Sequence, residues 1–517
     1  MEETTTTSTS VQNNKRIAKN TVFLYLRMFI TMGVSLFTSR VVLNTLGVED
    51  FGIYNVVGGM VMMFSTVNTS MATAVQRFMN FEMGKNNHSR LNNIFNTSVL
   101  IHFVIAIILF VLIELIGVWY LNNHMNIPED RLDVANFVLQ FSIFTLIVSV
   151  ISVPYNAAII ANERMSAFAI ISIIEVTLQL VIVYLLVIFN ADKLKVYSVL
   201  MFVVAVIIRI VYGIYSKRNF KECSFKWHWD TSLFKEMSLF AGWNLIGVSS
   251  TMLRTQGISL LLNFFFDVII NAATGIAFRV KNAFDSFAGN FMTAISPQIT
   301  KSYAAKDYNY LMQLIFKGSK LSYYLLLFIF VPIFIETETI LKLWLKIVPD
   351  YSVIFVRLLL IVSLIEVLSK TLIQAMFATG DIKKYQLVVG SVTLLNLPIS
   401  LLFLYLNFTP EIVFIVAISI AFITLFVRLF MLKKMINILI KKFIVEVLFC
   451  VTIVTASSMI LPFLLTRIYD PDYIRLLVNV FISLLSVFIT VYIFGLNKME
   501  KKQVKRVVYK VIKIRKK

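Results

Sequence analysis

Apolar runs of about 20 residues recur from one end of this 517-residue chain to the other, and about 20 residues is the length an α-helix needs to cross the hydrocarbon core of a bilayer. That feature limits the fold more than any other. In lipid, each backbone N–H and C=O must find a partner within the protein, so only helices and closed barrels span. The runs here are continuous rather than alternating, which excludes a barrel. Composition agrees: 58% of residues are hydrophobic and 15% charged, with a mean hydropathy of +0.82, against about 25% charged in soluble domains. The chain reads as an all-α integral membrane protein. Fourteen spans are expected, at 21–43, 51–76, 95–120, 134–158, 168–189, 197–215, 238–262, 271–296, 319–340, 352–377, 387–406, 411–432, 443–466 and 474–496. No small-residue cleavage site follows the first run, so it reads as a retained helix rather than a signal peptide. The preceding polar segment, 1–20, is expected to be disordered.

Positive charge sets the orientation. With the N-terminus inside, and Lys320 and Arg475 at span edges counted with the side each borders, inner segments hold 32 of the 48 Lys and Arg. Outer loops hold seven: Arg131, Lys193, Lys195, Lys342, Lys346, Arg467 and Arg475. Both termini are therefore expected in the cytoplasm, the protein being a multi-pass component of a bacterial inner membrane. The net charge of +20 is then mostly a topology signal, and nucleic acid is not an expected partner. The tail 497–517 places Val504, Val507, Val508, Val511 and Ile512 on one helical face and cations on the other. It reads either as a helix on the anionic inner leaflet or as a basic tail serving topology alone.

A repeat organises the spans. The first and seventh begin about 217 residues apart, and the turns "ANERM" and "TGDIK" align at an offset of 218. Six spans separate the partners, so both copies point the same way across the membrane. Two parallel six-helix lobes are expected at 21–215 and 238–442, joined by a basic linker at 216–237 and followed by two extra helices at 443–496. This is one of the plans of secondary transporters, in which one half rocks against the other around a mid-depth site.

Charges within spans mark that site. A charge at the bilayer centre costs at least about 2.5–3.5 kcal/mol, although residues near helix ends escape by snorkelling. Arg40, Arg209, Arg357 and Arg428 are close enough to the ends to do so. Arg27 lies about 9 Å into its span, and Arg254 and Arg279 about 12 Å, at 1.5 Å per residue; Lys281 is deeper. Lys281 and Asp285 are four residues apart and can pair on one face, which leaves Arg279 on another. Glu366 and Lys370 repeat that spacing and read as an intrahelical or helix-to-helix salt bridge. Glu114 and Glu175 are single carboxylates that can take a proton, hold Na⁺ or pair with an arginine; with Asp285 they are the candidates for ion coupling. Gln179 and Gln256 add polar lining. The surplus of deep cations points to an anionic substrate, because guanidinium forks match phosphate oxygens. Cys223 and Cys450 imply no disulfide framework. The histidines His88, His102, His124 and His228 show no ligand spacing, and there is no phosphate-cradling loop or nucleophile motif. No resident cofactor is expected beyond a coupling Na⁺ or H⁺.

The segment "SRVVLNTLGVEDFGIYNVVGGMVMMFSTVNTSMATAVQRFM" (39–79) resembles the N-terminal signature of polysaccharide-export flippases of the O-antigen (Wzx) type. It has Leu46-Gly47, the acids Glu49 and Asp50, and Phe51-Gly52-Ile53-Tyr54 leading into the second span. The stretch ending at Pro297 resembles the family's eighth helix. The resemblance implies two lobes around a central V-shaped cavity, acting as a monomer. The implied substrate is an undecaprenyl-pyrophosphate-linked oligosaccharide, an O-antigen or capsule repeat unit, moved from the inner to the outer leaflet. Relatives carry cavity cations on the first, second, seventh and eighth helices, and Arg27, Arg254, Arg279 and Lys281 fit by helix. The second span has no cation before Arg77, a departure from the lipid II exporters. An ion-coupled multidrug exporter of the same superfamily is the alternative. A glycan ligase or polymerase would need a sizeable outer loop with catalytic residues, which this chain lacks, so no enzyme is expected.

Overall fold

The computed structural model describes residues 2–125, 127–186, 192–227, 229–266, 268–345, 347–468, 473–498 and 500–502. Among them there is no strand. The helices are α1 (Gln12–Gly47), α2 (Glu49–Met63), α3 (Ser65–Gly84), α4 (His88–His124), α5 (Leu132–Ala161) and α6 (Met165–Leu185). They continue with α7 (Lys193–Asn219), α8 (Thr231–Phe265), α9 (Val268–Ala304), α10 (Tyr308–Ile335), α11 (Thr337–Leu345) and α12 (Ser352–Thr379). The last are α13 (Lys383–Tyr405), α14 (Ile412–Ile436), α15 (Ile440–Ile468) and α16 (Tyr473–Gly495). The amphipathic helix expected over 504–512, with its lipid contact, and His228 lie outside the described residues.

Eleven of these helices are long and apolar enough to cross a membrane, or twelve when α2 and α3, bent by 43° at Phe64, count as one. The expectation of fourteen spans therefore rests on α8 and α9. Their 35 and 37 residues reach about 52 and 55 Å, but their polar and charged residues lower their hydropathy and they are not in the apolar set. The first break comes at Gly47, in the signature, where φ is 84°. A residue with a Cβ rarely adopts that conformation, and glycine does so without steric cost.

Two expectations need correcting. Segment 1–20 is helical from Glu2 onward rather than disordered. Ile17 and Asn20 are buried and Arg16 pairs with Glu163 at 2.7 Å, so packing and charge hold the end of this polar stretch. The ninth span, expected at 319–340, begins as α10 at Tyr308 and stops at Ile335. There the buried carboxylate of Glu336 accepts hydrogen bonds from Arg475 (2.8 Å), Asn479 (2.7 Å) and Thr339 (2.9 Å), and the chain restarts as α11.

The chain forms two compact units. Unit 1 comprises 1–249 with 293–308 and 377–386; unit 2 comprises 250–292, 309–376 and 387–517. In unit 1, α5 packs chiefly against α7 and α1 against α6. Its core joins Ile53, Val57 and Val61 of α2 to Leu109 and Ile113 of α4 and to Val138, Leu139 and Ile143 of α5. Such cores are held by close packing, since lipid tails are as apolar as leucine. In unit 2, Val362 of α12 packs against Ala417 and Ala421 of α14, and α15 against α16. Large apolar side chains such as Leu477 and Phe481 of α16 are 72% and 68% exposed, as befits a surface solvated by lipid.

The segment 216–237 is anchored on unit 1. Asn92 donates to the carbonyls of Glu222 (2.8 Å) and Ser224 (2.9 Å), and the Lys226 amide donates to Asn96 (2.9 Å). Cys223 is thereby 2% exposed, and burial, with the Glu222 carboxylate beside it, pushes its thiol above the usual range. The thiolate is the reactive form. A maleimide should therefore leave Cys223 unmodified in the folded protein and label it after denaturation in SDS, as peptide mass analysis would reveal.

Candidate functional site

In unit 2 the deep charges of α8, α9 and α12 meet. Glu366, near the middle of α12, uses both carboxylate oxygens. Oε1 accepts from the Arg254 guanidinium of α8 at 3.2 Å, and Oε2 accepts from Lys281 Nζ of α9 at 3.0 Å. Lys281 also donates to Asp285, one turn on, at 2.5 Å. Lys281 is 8% exposed and Arg254 9%. The four groups form a network of two cations and two anions, which offsets much of the cost of holding any of them in a low-dielectric interior.

Three expectations meet this geometry. The Lys281–Asp285 pair is present as the four-residue spacing suggested, and Lys281 and Arg254, both expected among the cavity cations, are each paired with Glu366. Of the two salt bridges expected for Glu366, the helix-to-helix kind is present, to α8 and α9, while an intrahelical pair with Lys370 is not among the ion pairs of the described residues. Asp285, a candidate for ion coupling, is held by an ammonium.

Arg279 differs. Two residues from Lys281, it sits about 200° around the helix. It is exposed, and among the described residues no hydrogen bond or ion pair engages it. It belongs to a row of exposed positions on α9: Ala272, Gly275, Arg279, Asn282, Ser286 and Gly289. Their spacing of three and four residues puts them on one face, and none is a large apolar residue. An exposed face in lipid should be apolar; this one is small, polar and cationic, and so is suited to water rather than to lipid. The row is visible in the sequence as small and polar residues at helical spacing, a signal obscured by the buried charges beside it.

The remaining candidates lie in unit 1. The Arg27 guanidinium of α1 stacks over Phe168 of α6, 4.4 Å from the ring centre. It is half-buried, its Nε has no protein acceptor, and Glu175 and Tyr212 are its electrostatic neighbours. Glu175 is within electrostatic reach of Arg27, although no ion pair joins them among the described residues. Glu114 lies in a π-helical turn, Ile113–Gly117, a feature frequent at functional sites. Its Oε2 accepts from Gln140 at 3.1 Å, while its buried Oε1 has no hydrogen-bond partner among the described residues. Gln179 is half-buried and Gln256 exposed.

These helices and intramembrane charges define a polytopic membrane protein with a transporter-type fold. The chain is similar in structure to a multidrug resistance MATE family transporter of the MOP superfamily in an outward-facing conformation (TM-score 0.70, 11% identity, covering 81% of this chain and 96% of that one). It is also similar to MATE in the bent conformation (0.72, 12%, 84% and 99%) and to a mutant of the Vibrio cholerae MATE transporter VcmN (0.65, 13%, 83% and 98%). None of the curated proteins matches by sequence. A family model does: residues 17–303 match the polysaccharide biosynthesis protein family, and the chain belongs to that family.

Proposed function

We propose that this protein is a flippase that carries an oligosaccharide linked through a diphosphate to a polyprenyl lipid across the bacterial inner membrane, with both termini in the cytoplasm. The observation that carries this reading is the small, polar, exposed face of α9, with Arg279 as its only formal charge. A diphosphate offers oxygens that a guanidinium binds in a two-pronged geometry, and an oligosaccharide needs a wet, uncrowded surface to slide along. Membership of the polysaccharide biosynthesis family and a MATE-like fold support a glycan cargo and a transport mode. No covalent chemistry is required, and the chain acts as a monomer. Glu114, with one carboxylate oxygen unpartnered, is the preferred group for coupling to H⁺ or Na⁺. The lipid would be undecaprenyl pyrophosphate and the cargo an O-antigen or capsule unit.

The test is reconstitution of the full chain into liposomes with a fluorescent polyprenyl-diphosphate oligosaccharide on one leaflet. Appearance of the glycan on the other leaflet, read by a membrane-impermeant lectin, is the expected result. Efflux of cationic dyes with no movement of the lipid-linked glycan would overturn the proposal in favour of a multidrug exporter.

A further inference from the structure

The linker between α7 and α8 carries aromatic residues at alternate positions, Phe225, Trp227 and Trp229, in the run "SFKWHWD". They are 50%, 80% and 44% exposed, Trp227 being the most exposed tryptophan of the chain. The backbone is extended at Ser224 (φ −82°, ψ 114°) and forms neither helix nor turn from there to Trp227. Successive side chains of an extended chain point to opposite sides, so Phe225 and Trp227 share one. Their base is fixed. Asn92 and Asn96 tie residues 222–226 to α4, and Asn162, just beyond α5, donates to the Glu222 carboxylate at 2.9 Å.

The depth of this base follows from α4. Asn92 and Asn96 stand where the apolar run of that helix begins. Phe103 and Ile107 continue the same face at helical spacing, and both are exposed, as residues against lipid are. The linker thus covers the polar end of a helix face whose deeper turns meet lipid, which is the level of the headgroups. Charge points the same way. Each acid of segment 216–237 is engaged within the protein: Glu222 by Asn162, Asp230 by the Leu233 amide at 3.0 Å, and Glu236 by Arg90 at 3.6 Å. Its cations, Lys217, Arg218, Lys221, Lys226 and Lys235, are all exposed, and no carboxylate among the described residues pairs with them.

We propose that Phe225, Trp227 and Trp229 form an aromatic anchor that enters the headgroup layer beside α4, while the five cations bind the phosphates of anionic phospholipids. With the termini in the cytoplasm, as in the function proposed above, this is the inner leaflet, whose surface is negative. Tryptophan suits that layer because its ring is apolar and its N–H needs a polar partner. Lysine suits it because its stem lies along apolar surface while the ammonium reaches outward. An exposed aromatic patch marks a binding surface, and unpaired cations favour an anionic lipid over an uncharged glycan. Trp229 also packs on Phe234 in the first turn of α8, ring centres 4.9 Å apart, so the anchor sets the depth at which α8 enters the membrane.

The test uses the full chain in nanodiscs containing phosphatidylglycerol. Trp119→Phe, Trp229→Phe, Trp243→Phe and Trp344→Phe leave Trp227 as the sole tryptophan. Lipid brominated near the top of its acyl chains should quench the Trp227 emission by about half or more, and aqueous acrylamide should quench it about threefold less than it quenches a free tryptophan amide. Exchanging phosphatidylglycerol for phosphatidylcholine, or combining Lys221→Glu with Lys226→Glu, should raise the acrylamide quenching about twofold. Should the fourfold variant fail to fold, Trp227→Ala in the otherwise native chain should remove part of the quenching by brominated lipid, and no change would overturn the anchor. Emission of Trp227 that ignores brominated lipid and meets acrylamide as freely as the amide would also overturn it, leaving the patch to a soluble partner. Equal quenching with either phospholipid would overturn the role given to the cations. No glycan lipid is present, so none of these outcomes bears on the flippase reading.

Discussion

Replacing Arg279 with alanine is expected to cut translocation of a diphosphate-linked glycan by about 10- to 100-fold while leaving the folded protein intact. The magnitude follows from losing hydrogen bonds to a charged group, about 1.5–3 kcal/mol. The absence of a stability cost follows from the structure: Arg279 is exposed, no carboxylate among the described residues depends on it, and substitutions away from buried features stay within about 0.5 kcal/mol. Arg279→Lys should retain part of the rate, because lysine keeps the charge but not the planar fork. Complementation of a strain that lacks surface polysaccharide, at matched membrane levels, provides the measurement. Wild-type export by Arg279→Ala would remove the cationic-face proposal.

Glu366→Ala should behave in the opposite way, as a defect of folding. It removes an acceptor from Lys281 and the carboxylate paired with Arg254, both less than a tenth exposed. Breaking a buried ion pair by removing one partner costs about 3–5 kcal/mol. The variant should melt well below the wild type in detergent and accumulate poorly. Glu366→Gln combined with Lys281→Met should recover part of the loss, because an apolar replacement of a buried pair is often neutral. Arg254→Ala should be milder, since Glu366 retains Lys281 at 3.0 Å, and any lost transport should track lost protein. A Glu366→Ala protein as stable as the wild type would show that the network is hydrated.

These contrasting outcomes reflect how far the sequence could be read. The spans were legible because hydrophobic length is local: helix ends such as Ser352–Thr379 and Ile412–Ile436 fall within a few residues of their expected places. The ninth boundary was not, because it depends on Glu336 finding Arg475 and Asn479, about 140 residues away. The helical N-terminal segment was missed for the same reason: Arg16 is held by Glu163, 147 residues on.

The charged site divides along the same line. Lys281 and Asp285 could be paired from their spacing, since four residues make one turn. For Glu366 a salt bridge within its helix or to another helix could be expected but no distant partner named, and the structure gives it partners 85 and 112 residues distant. By itself the sequence established a many-spanning helical protein, a property of composition and of apolar length along the chain. Which cations are paired with carboxylates and which is not was decided by tertiary structure alone. That choice depends on how each helix is rotated and on which distant carboxylate comes within 3 Å of it, and two guanidiniums in similar helices look alike until that geometry is known.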